Sequence, residues 1–178
     1  MGWQICKMDE FLGQIDQAND LGKHLFVWDK QGMCSQLAAY AGCVHHDFKL
    51  EQERLQTGVK TLDEVLEKLR KILFACGRKG KNLMLDLGAT QPDFNQQFSK
   101  EATFKADVVF NLAQWREPAN FRSFIKEEDN EDGEVEVDDI DMRPLMIVST
   151  AANERDISAQ LNKIPHSNSF YRVIVLQA

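Results

Sequence analysis

Apolar residues form short continuous runs along the chain, and longer stretches with helical spacing separate the runs. Apolar runs of about four to eight residues between turn signals predict buried β-strands. Such runs occur at residues 24–29, 43–50, 82–88, 106–112, 143–150 and 170–176. Several of them are apolar almost throughout, which favours strands that are buried on both faces of a sheet.

The stretches between these runs predict helices. Apolar positions at helical spacing from Met8 to Ala18 predict a helix that Gly22 ends, because glycine readily adopts the backbone conformation that closes a helix. A short helix is predicted from about Met33 to Ala41. Further helices are predicted at residues 116–127 and at residues 153–164, the latter capped by Asn153.

The strongest helix signal lies between Thr61 and Gly77. Thr61 and Glu64 have the T-x-x-E spacing of a capping box, in which each side chain binds the backbone N–H of the other residue. A continuous apolar stripe follows over residues 62–73, and Gly77 stands where the helix should end. We therefore expect a long amphipathic helix whose apolar face packs on the sheet.

Strands alternating with helices predict a parallel sheet that is covered by helices on both faces. The sequence thus predicts one α/β domain over residues 1–178, with a three-layer α/β/α architecture and a mostly parallel central sheet. Residues 127–141 interrupt this pattern, because they include ten acidic residues and no lysine or arginine. We expect an acidic, flexible and solvated insertion there.

Charge and composition restrict the classes of partner that we expect the chain to bind. The net charge is -7, but removing the insertion's ten acids leaves 18 acidic residues against 21 basic ones, or about +3 for the rest. No dominant basic face is predicted, so we expect no nucleic-acid partner, and no apolar run has the roughly 20 residues of a membrane helix. Four scattered cysteines without an export signal predict a cytoplasmic protein with reduced thiols, and a protein partner is expected. The oligomeric state stays open.

Polar residues follow three predicted strands at the ends where α/β sheets bind ligands. These residues are Asp29, Lys30, Asp86, Thr150 and Asn153. The order strand–turn–helix, then "LMLD", then "PLMIVSTAAN" resembles P-loop NTPases of the AAA+ type. Residues 83–112 also resemble the strand–loop–strand segment of adenylate-kinase-like domains. The AAA+ resemblance implies a Walker B position for Asp86 and a sensor position for Thr150 or Asn153.

The turn "WDKQGMCS" departs from the phosphate loop of that family, G-x-x-x-x-G-K-[ST]. Met33 rather than lysine follows Gly32, and the Asp29 carboxylate would repel a phosphate by roughly 4 kcal/mol at about 4 Å and an effective dielectric near 20. Leu87 follows Asp86, where hydrolysing members usually carry a second acid.

These departures favour a non-catalytic interaction or scaffolding domain that retains a relict crevice, a role that the resemblance implies in motor, cytoskeletal and axonemal assemblies. The alternative is a nucleotide-binding enzyme, an NTPase or nucleotide kinase, in which Lys30 and Asp86 position phosphate and metal. No resident cofactor is expected under the first interpretation, whereas the second needs a nucleotide.

A thioredoxin-like domain is a further alternative. The N-terminal helix, the strand "GKHLFVWD" and Cys34 after it are similar to that family. The family's redox chemistry needs two cysteines separated by two residues, and Gln31 and Leu37 stand where the second would be. Only Pro144 is placed to act as the family's cis-proline.

The acidic segment also has the pattern of a calcium loop. Acidic or amide side chains occupy loop positions 1, 3, 5, 9 and 12 of "EDNEDGEVEVDD", with Gly133 at position 6. These candidate calcium ligands are Glu128, Asn130, Asp132, Glu136 and Asp139. The exit helix of an EF-hand would have to cross Pro144 and a predicted strand, so a solvated insertion is favoured and calcium binding is the alternative.

Overall fold

A computed structural model of the chain describes residues 2–130 and 140–176. Its centre is a six-stranded sheet with the strand order β1-β6-β2-β5-β4-β3, in which every neighbouring pair is parallel. The strands are β1 (Gln4–Lys7), β2 (Leu25–Trp28), β3 (Val44–Asp47), β4 (Leu83–Gly88), β5 (Met146–Ser149) and β6 (Tyr171–Leu176). The predicted three-layer α/β/α fold is confirmed.

Helices cover both faces of the sheet. They are α1 (Phe11–Leu21), α2 (Cys34–Tyr40), α3 (Phe48–Gln56), α4 (Leu62–Arg78), α5 (Ala106–Val109), α6 (Leu112–Trp115), α7 (Pro118–Arg122) and α8 (Glu154–Asn162). Both halves of the predicted capping box are present at the start of α4. Gly22 ends α1 in the left-handed conformation, with φ of 59°. In the described part of the chain, no helix has the length and apolarity needed to cross a membrane.

The two sides of the sheet form separate hydrophobic cores. Strand β4 illustrates the division, because Met84 packs under α1 and α2 whereas Leu85 packs on the opposite face with α4 and α8. The larger core contains a cluster of phenylalanine rings in edge-to-face and tilted contacts, from the segments after β3 and β4. The strand predicted at residues 43–50 is only partly a strand in the structure. It ends at Asp47, whose side chain accepts a hydrogen bond from the Leu50 N–H and caps the start of α3.

The structure also differs from the prediction at residues 106–112, at β1, and at residues 116–127, where the predicted helix is limited to α7 (Pro118–Arg122). Residues 106–112, predicted as a strand, form α5 and the start of α6, because β4 already has β3 and β5 as neighbours and Phe110 packs against the rings of Phe94 and Phe104. Strand β1 was not predicted, because its only adjacent apolar residues are Ile5 and Cys6.

His24 ties three elements together at the start of β2. Its Nδ1 accepts a hydrogen bond from the Leu145 N–H at 2.9 Å, which leaves Nε2–H to donate to the Val109 carbonyl oxygen at 3.1 Å. Burial of the ring lowers the pKa of His24 to about 3. The neutral imidazole therefore joins β2 to α5 and to the start of β5.

We expect His24→Ala to lower the free energy of unfolding at pH 7 by about 1–3 kcal/mol, because two buried backbone groups lose their partner. In the wild type, the unfolded chain binds a proton near the ordinary pKa of 6.5 whereas the folded chain does so only near 3. The contribution of His24 is thus complete above pH 6.5 and is lost as the pH falls toward 3.

Urea unfolding at several pH values measures this effect. The stability difference between wild type and His24→Ala should narrow from pH 7 to pH 4. The half-exposed His166, which pairs with Asp107, provides the control variant His166→Ala. A difference that stays constant with pH would contradict the assignment.

Candidate functional site

The candidate site lies where β2, β5 and β4 end side by side. The Asp29 N–H donates to the Ser149 carbonyl oxygen at 2.9 Å, and the Thr150 N–H donates to the Gly88 carbonyl oxygen at 3.0 Å. These bonds continue the sheet ladder beyond the strands. The turn at residues 29–33 therefore starts from a fixed position on its way to α2.

The Asp29 side chain fills the inside of this turn. Its Oδ1 accepts from the Gln31 N–H at 3.0 Å, and its Oδ2 accepts from the Cys34 N–H at 2.7 Å. The residue is 1% exposed, so its carboxylate is buried inside the turn and does not project from the tip. The reason is that the N–H groups of a turn and of a helix start need an acceptor, and this carboxylate reaches them without leaving the chain.

Lys30 is exposed and lies away from those amides. Its Nζ is 4.7 Å from the centre of the Trp28 ring, a cation–π contact. Trp28 belongs to the core on the face opposite α2. Lys30 thus carries its charge to the other side of the sheet, where it cannot offset the charge of a phosphate in the turn.

Asp86 sits on β4, on the face that α2 covers. Its Oδ2 accepts from the Ser35 hydroxyl at 2.7 Å and lies 3.3 Å from the His45 Nε2, and its Oδ1 accepts from the Gly88 N–H at 3.0 Å. Two of the three polar contacts of Asp86 thus come from side chains of this chain, Ser35 and His45.

Thr150 and Asn153 have different surroundings. The Thr150 methyl lies 3.7 Å from the position that a Cβ on Gly32 would take, so Thr150 packs against the turn. Asn153 is exposed and accepts from the Asp156 N–H at 3.0 Å, which confirms it as the cap of α8. Asp29, Asp86 and Thr150 therefore lie along one edge with Lys30 on the far side, and the hydrogen bonds of Asn153 stay within α8.

Gln160, which contacts this edge through Ser149, was missed by the sequence analysis. Ser149 is fully buried, and its hydroxyl donates to the Gln160 Oε1 at 2.5 Å. The Gln160 amide then donates to the carbonyl oxygens of Thr90 and Gly88, at 2.6 and 3.2 Å. Gln160 stands three residues after Ile157 on the apolar stripe of α8, and this polar residue among apolar ones was the available signal.

Cys34 is fully buried at the start of α2. Burial, together with the neighbouring Asp29 carboxylate, raises the pKa of the thiol, which favours an unreactive form. The described residues include no cis peptide bond, and the sheet they form is parallel throughout. The thioredoxin-like alternative therefore gains no support from these residues.

The proposed calcium ligands are only partly described. Glu128 lies at the edge of α4, where its Oε1 is 3.0 Å from the Lys71 Nζ. Asp132, Glu136, Asp139 and the side chain of Asn130 lie outside the described residues. Within residues 2–130 and 140–176, no group of three His, Cys, Asp or Glu side chains is arranged to hold a metal ion. Calcium binding stays a prediction.

Both flanks of the acidic segment are anchored on α4. The buried Arg70 guanidinium binds the carboxylates of Glu67 and Asp129 and the Phe124 carbonyl oxygen. On the far flank the Asp141 N–H donates to the Gly77 carbonyl oxygen at 3.0 Å. A groove of about 730 Å³ runs along the exposed side of α4. Lysines and acidic residues line it in similar number, so its charge favours neither an anionic nor a cationic ligand.

Comparison with known proteins adds no relative, since no protein-family model, curated protein or solved structure matches the chain. The structure itself defines a three-layer α/β domain with a parallel sheet. The polar edge of that sheet is closed by hydrogen bonds within the chain at Asp29, Asp86 and Ser149.

We expect Asp29→Ala to lower the free energy of unfolding by about 1–3 kcal/mol, because the N–H groups of Gln31 and Cys34 lose their acceptor in a buried site. Asp93 provides a matched control, since its Oδ1 also accepts from two N–H groups of its own turn, at 3.0 Å each, but it is only half-buried. Chemical unfolding should show a smaller loss for Asp93→Ala. An equal or larger loss would contradict the role given to Asp29.

Proposed function

We propose that the chain is a non-catalytic interaction or scaffolding domain of P-loop NTPase-like type, whose phosphate site is filled by its own Asp29 carboxylate. The two hydrogen bonds from the Gln31 and Cys34 N–H groups to that carboxylate carry the proposal. In a phosphate loop, backbone N–H groups of this kind bind the ligand. Here they are already bound.

The positions of the strands support the P-loop-like part of the proposal. The resemblance needs the phosphate turn, the Walker B aspartate and the sensor residue to meet at one edge of a sheet. The turn follows β2, Asp86 lies on β4 and Thr150 follows β5, and the sheet places these strands side by side in the order β2-β5-β4. The adenylate-kinase-like placement needs a strand at residues 106–112, where the structure has helices.

The charges support the non-catalytic part. A phosphate in the turn would meet the Asp29 carboxylate at a distance where like charges repel by roughly 4 kcal/mol at an effective dielectric near 20. Met33 supplies no compensating charge, and Lys30 lies over Trp28 on the other face. A magnesium ion between Ser35 and Asp86 would have to break their 2.7 Å hydrogen bond.

The proposal places this domain in the cytoplasm with a protein partner, in the manner that the resemblance implies for motor, cytoskeletal and axonemal assemblies. All four cysteines are free, and three of them are buried, which suits a reducing compartment.

Thermal unfolding in the presence of ATP, ADP or GTP with Mg²⁺ tests the proposal. A ligand at a hundred times its Kd adds about 2.7 kcal/mol, or about 5–10 °C in Tm for a domain of this size. We expect no rise in Tm with any of the three nucleotides.

A rise that Asp86→Asn abolishes would contradict the proposal and support the nucleotide-binding enzyme instead. Asp107→Asn is the control, because this exposed aspartate pairs with His166 and takes no part in the candidate site. In that case the control variant should keep the full nucleotide-dependent rise.

A further inference from the structure

Strands β1 and β6 expose apolar side chains on one face of the sheet. Ile5 is 66% exposed and Leu176 is 49% exposed, and Trp3 and Ile174 are half-buried beside them. We call these four residues the outer face. The opposite side of the same strands is buried, because Cys6, Val173 and Val175 pack with α1. Parallel sheets are normally covered on both faces, whereas over β1 and β6 the described residues cover only one.

The register makes the outer face continuous with the core. Ile5 lies opposite Ile174, which in turn lies opposite Trp28 on β2. Trp3 closes one side, with its ring centre 6.0 Å from those of Phe26 and Trp28. The outer face is therefore a preformed apolar strip on rigid strands.

Three cations surround this strip. The Arg172 guanidinium lies 5.9 Å from the centre of the Trp3 ring, and its Nε–H has no hydrogen-bond partner in the described part of the chain. Lys30 lies over Trp28 next to Ile174, and Lys7 is the exposed β1 residue opposite Leu176. One acid lies close to these cations, because the Glu10 Oε2 accepts from the Lys7 N–H at 2.9 Å, so the three cations still outnumber it.

We propose that the outer face binds one amphipathic helix of a partner protein, with an apolar stripe flanked by acidic residues. Two strands spaced by about 4.8 Å form a strip roughly 10 Å wide, which matches the diameter of one helix. From Trp3 to Lys7 this face extends roughly 13 Å along the strands, the length of about nine helical residues. We expect the flanks of the partner helix to be acidic because three cations surround the outer face.

The same charges disfavour a second copy of this chain as the occupant. Two copies that met through their outer faces would bring Lys7, Lys30 and Arg172 of each copy toward those of the other, with like charges opposed. These cations attract an acidic helix, whereas they repel a second copy of the chain. This inference deepens the proposed function, because it names the partner chemistry of the interaction domain.

Two synthetic 14-residue helical peptides test it on the full chain. Both carry the same leucine stripe at i, i+3, i+4 and i+7, one with glutamate flanks and one with lysine flanks. Fluorescence anisotropy of the labelled peptides measures the Kd. We expect the glutamate peptide to bind at least tenfold more tightly, and its affinity to fall as salt rises.

Matched variants locate the binding. Ile5→Ser should weaken binding of the glutamate peptide about tenfold or more, because one fully buried aliphatic side chain is lost. Val59→Ser removes an equally exposed aliphatic residue, 69% exposed, in the turn after α3 and should change nothing. The double variant Lys7→Glu/Lys30→Glu should reverse the peptide preference, and Lys79→Glu should not.

Three results would overturn the inference: absence of binding, equal binding of both peptides, or self-association of the chain that Ile5→Ser removes. Thermal melts verify that each variant is folded. The nucleotide experiment is independent of these results. If neither the peptides nor the nucleotides bind, only the docking inference is rejected. If a nucleotide raises the Tm and the glutamate peptide also binds, only the proposed function is rejected.

Discussion

The backbone N–H groups of the turn before α2 need a hydrogen-bond acceptor, and the geometry of the sheet edge depends on how this need is met. Asp29 meets it from inside the chain, through bonds of 3.0 Å to Gln31 and 2.7 Å to Cys34. The same residue's N–H continues the ladder to Ser149 on β5. One aspartate thus fixes β2, α2 and β5 relative to one another, and it does so in the space where a P-loop protein would hold its ligand.

Buried charges on the other side of the sheet are subject to the same constraint. Glu51 on α3 is 1% exposed, and its carboxylate accepts from Lys60, Lys68 and Arg54. Burial raises the pKa of this carboxylate, but Lys68 and Lys60 outweigh burial and lower the pKa to about 2. Arg70 on α4 is equally buried between two carboxylates. A buried charge without its partner costs several kcal/mol. These ion pairs therefore fix α4 against α3 and against the start of the acidic segment.

Local signals in the sequence predicted most of the fold, and tertiary constraints account for the rest. The capping box at Thr61 and the cap at Asn153 were predictable because a cap involves only neighbouring residues. The helical state of residues 106–112 depends on phenylalanines elsewhere in the chain and on a sheet with no vacant place beside β4. At the site, the departure from a phosphate loop was visible in the sequence. The burial of Asp29 was not, because it depends on how the turn folds back.

The edge and the outer face of this sheet differ in the groups that remain available for binding. At the edge, Asp29, Ser149 and Gln160 satisfy backbone and side-chain polar groups, so a polar ligand would have to displace bonds that already exist. On the outer face, Ile5 and Leu176 remain in contact with water, and burying an aliphatic side chain is worth about 1.5–3 kcal/mol. A ligand at the edge must first break existing hydrogen bonds, which costs free energy. A partner on the outer face buries exposed apolar side chains, which lowers the free energy. This balance supports the proposal of an interaction domain that binds another protein on its outer face rather than a nucleotide at the sheet edge.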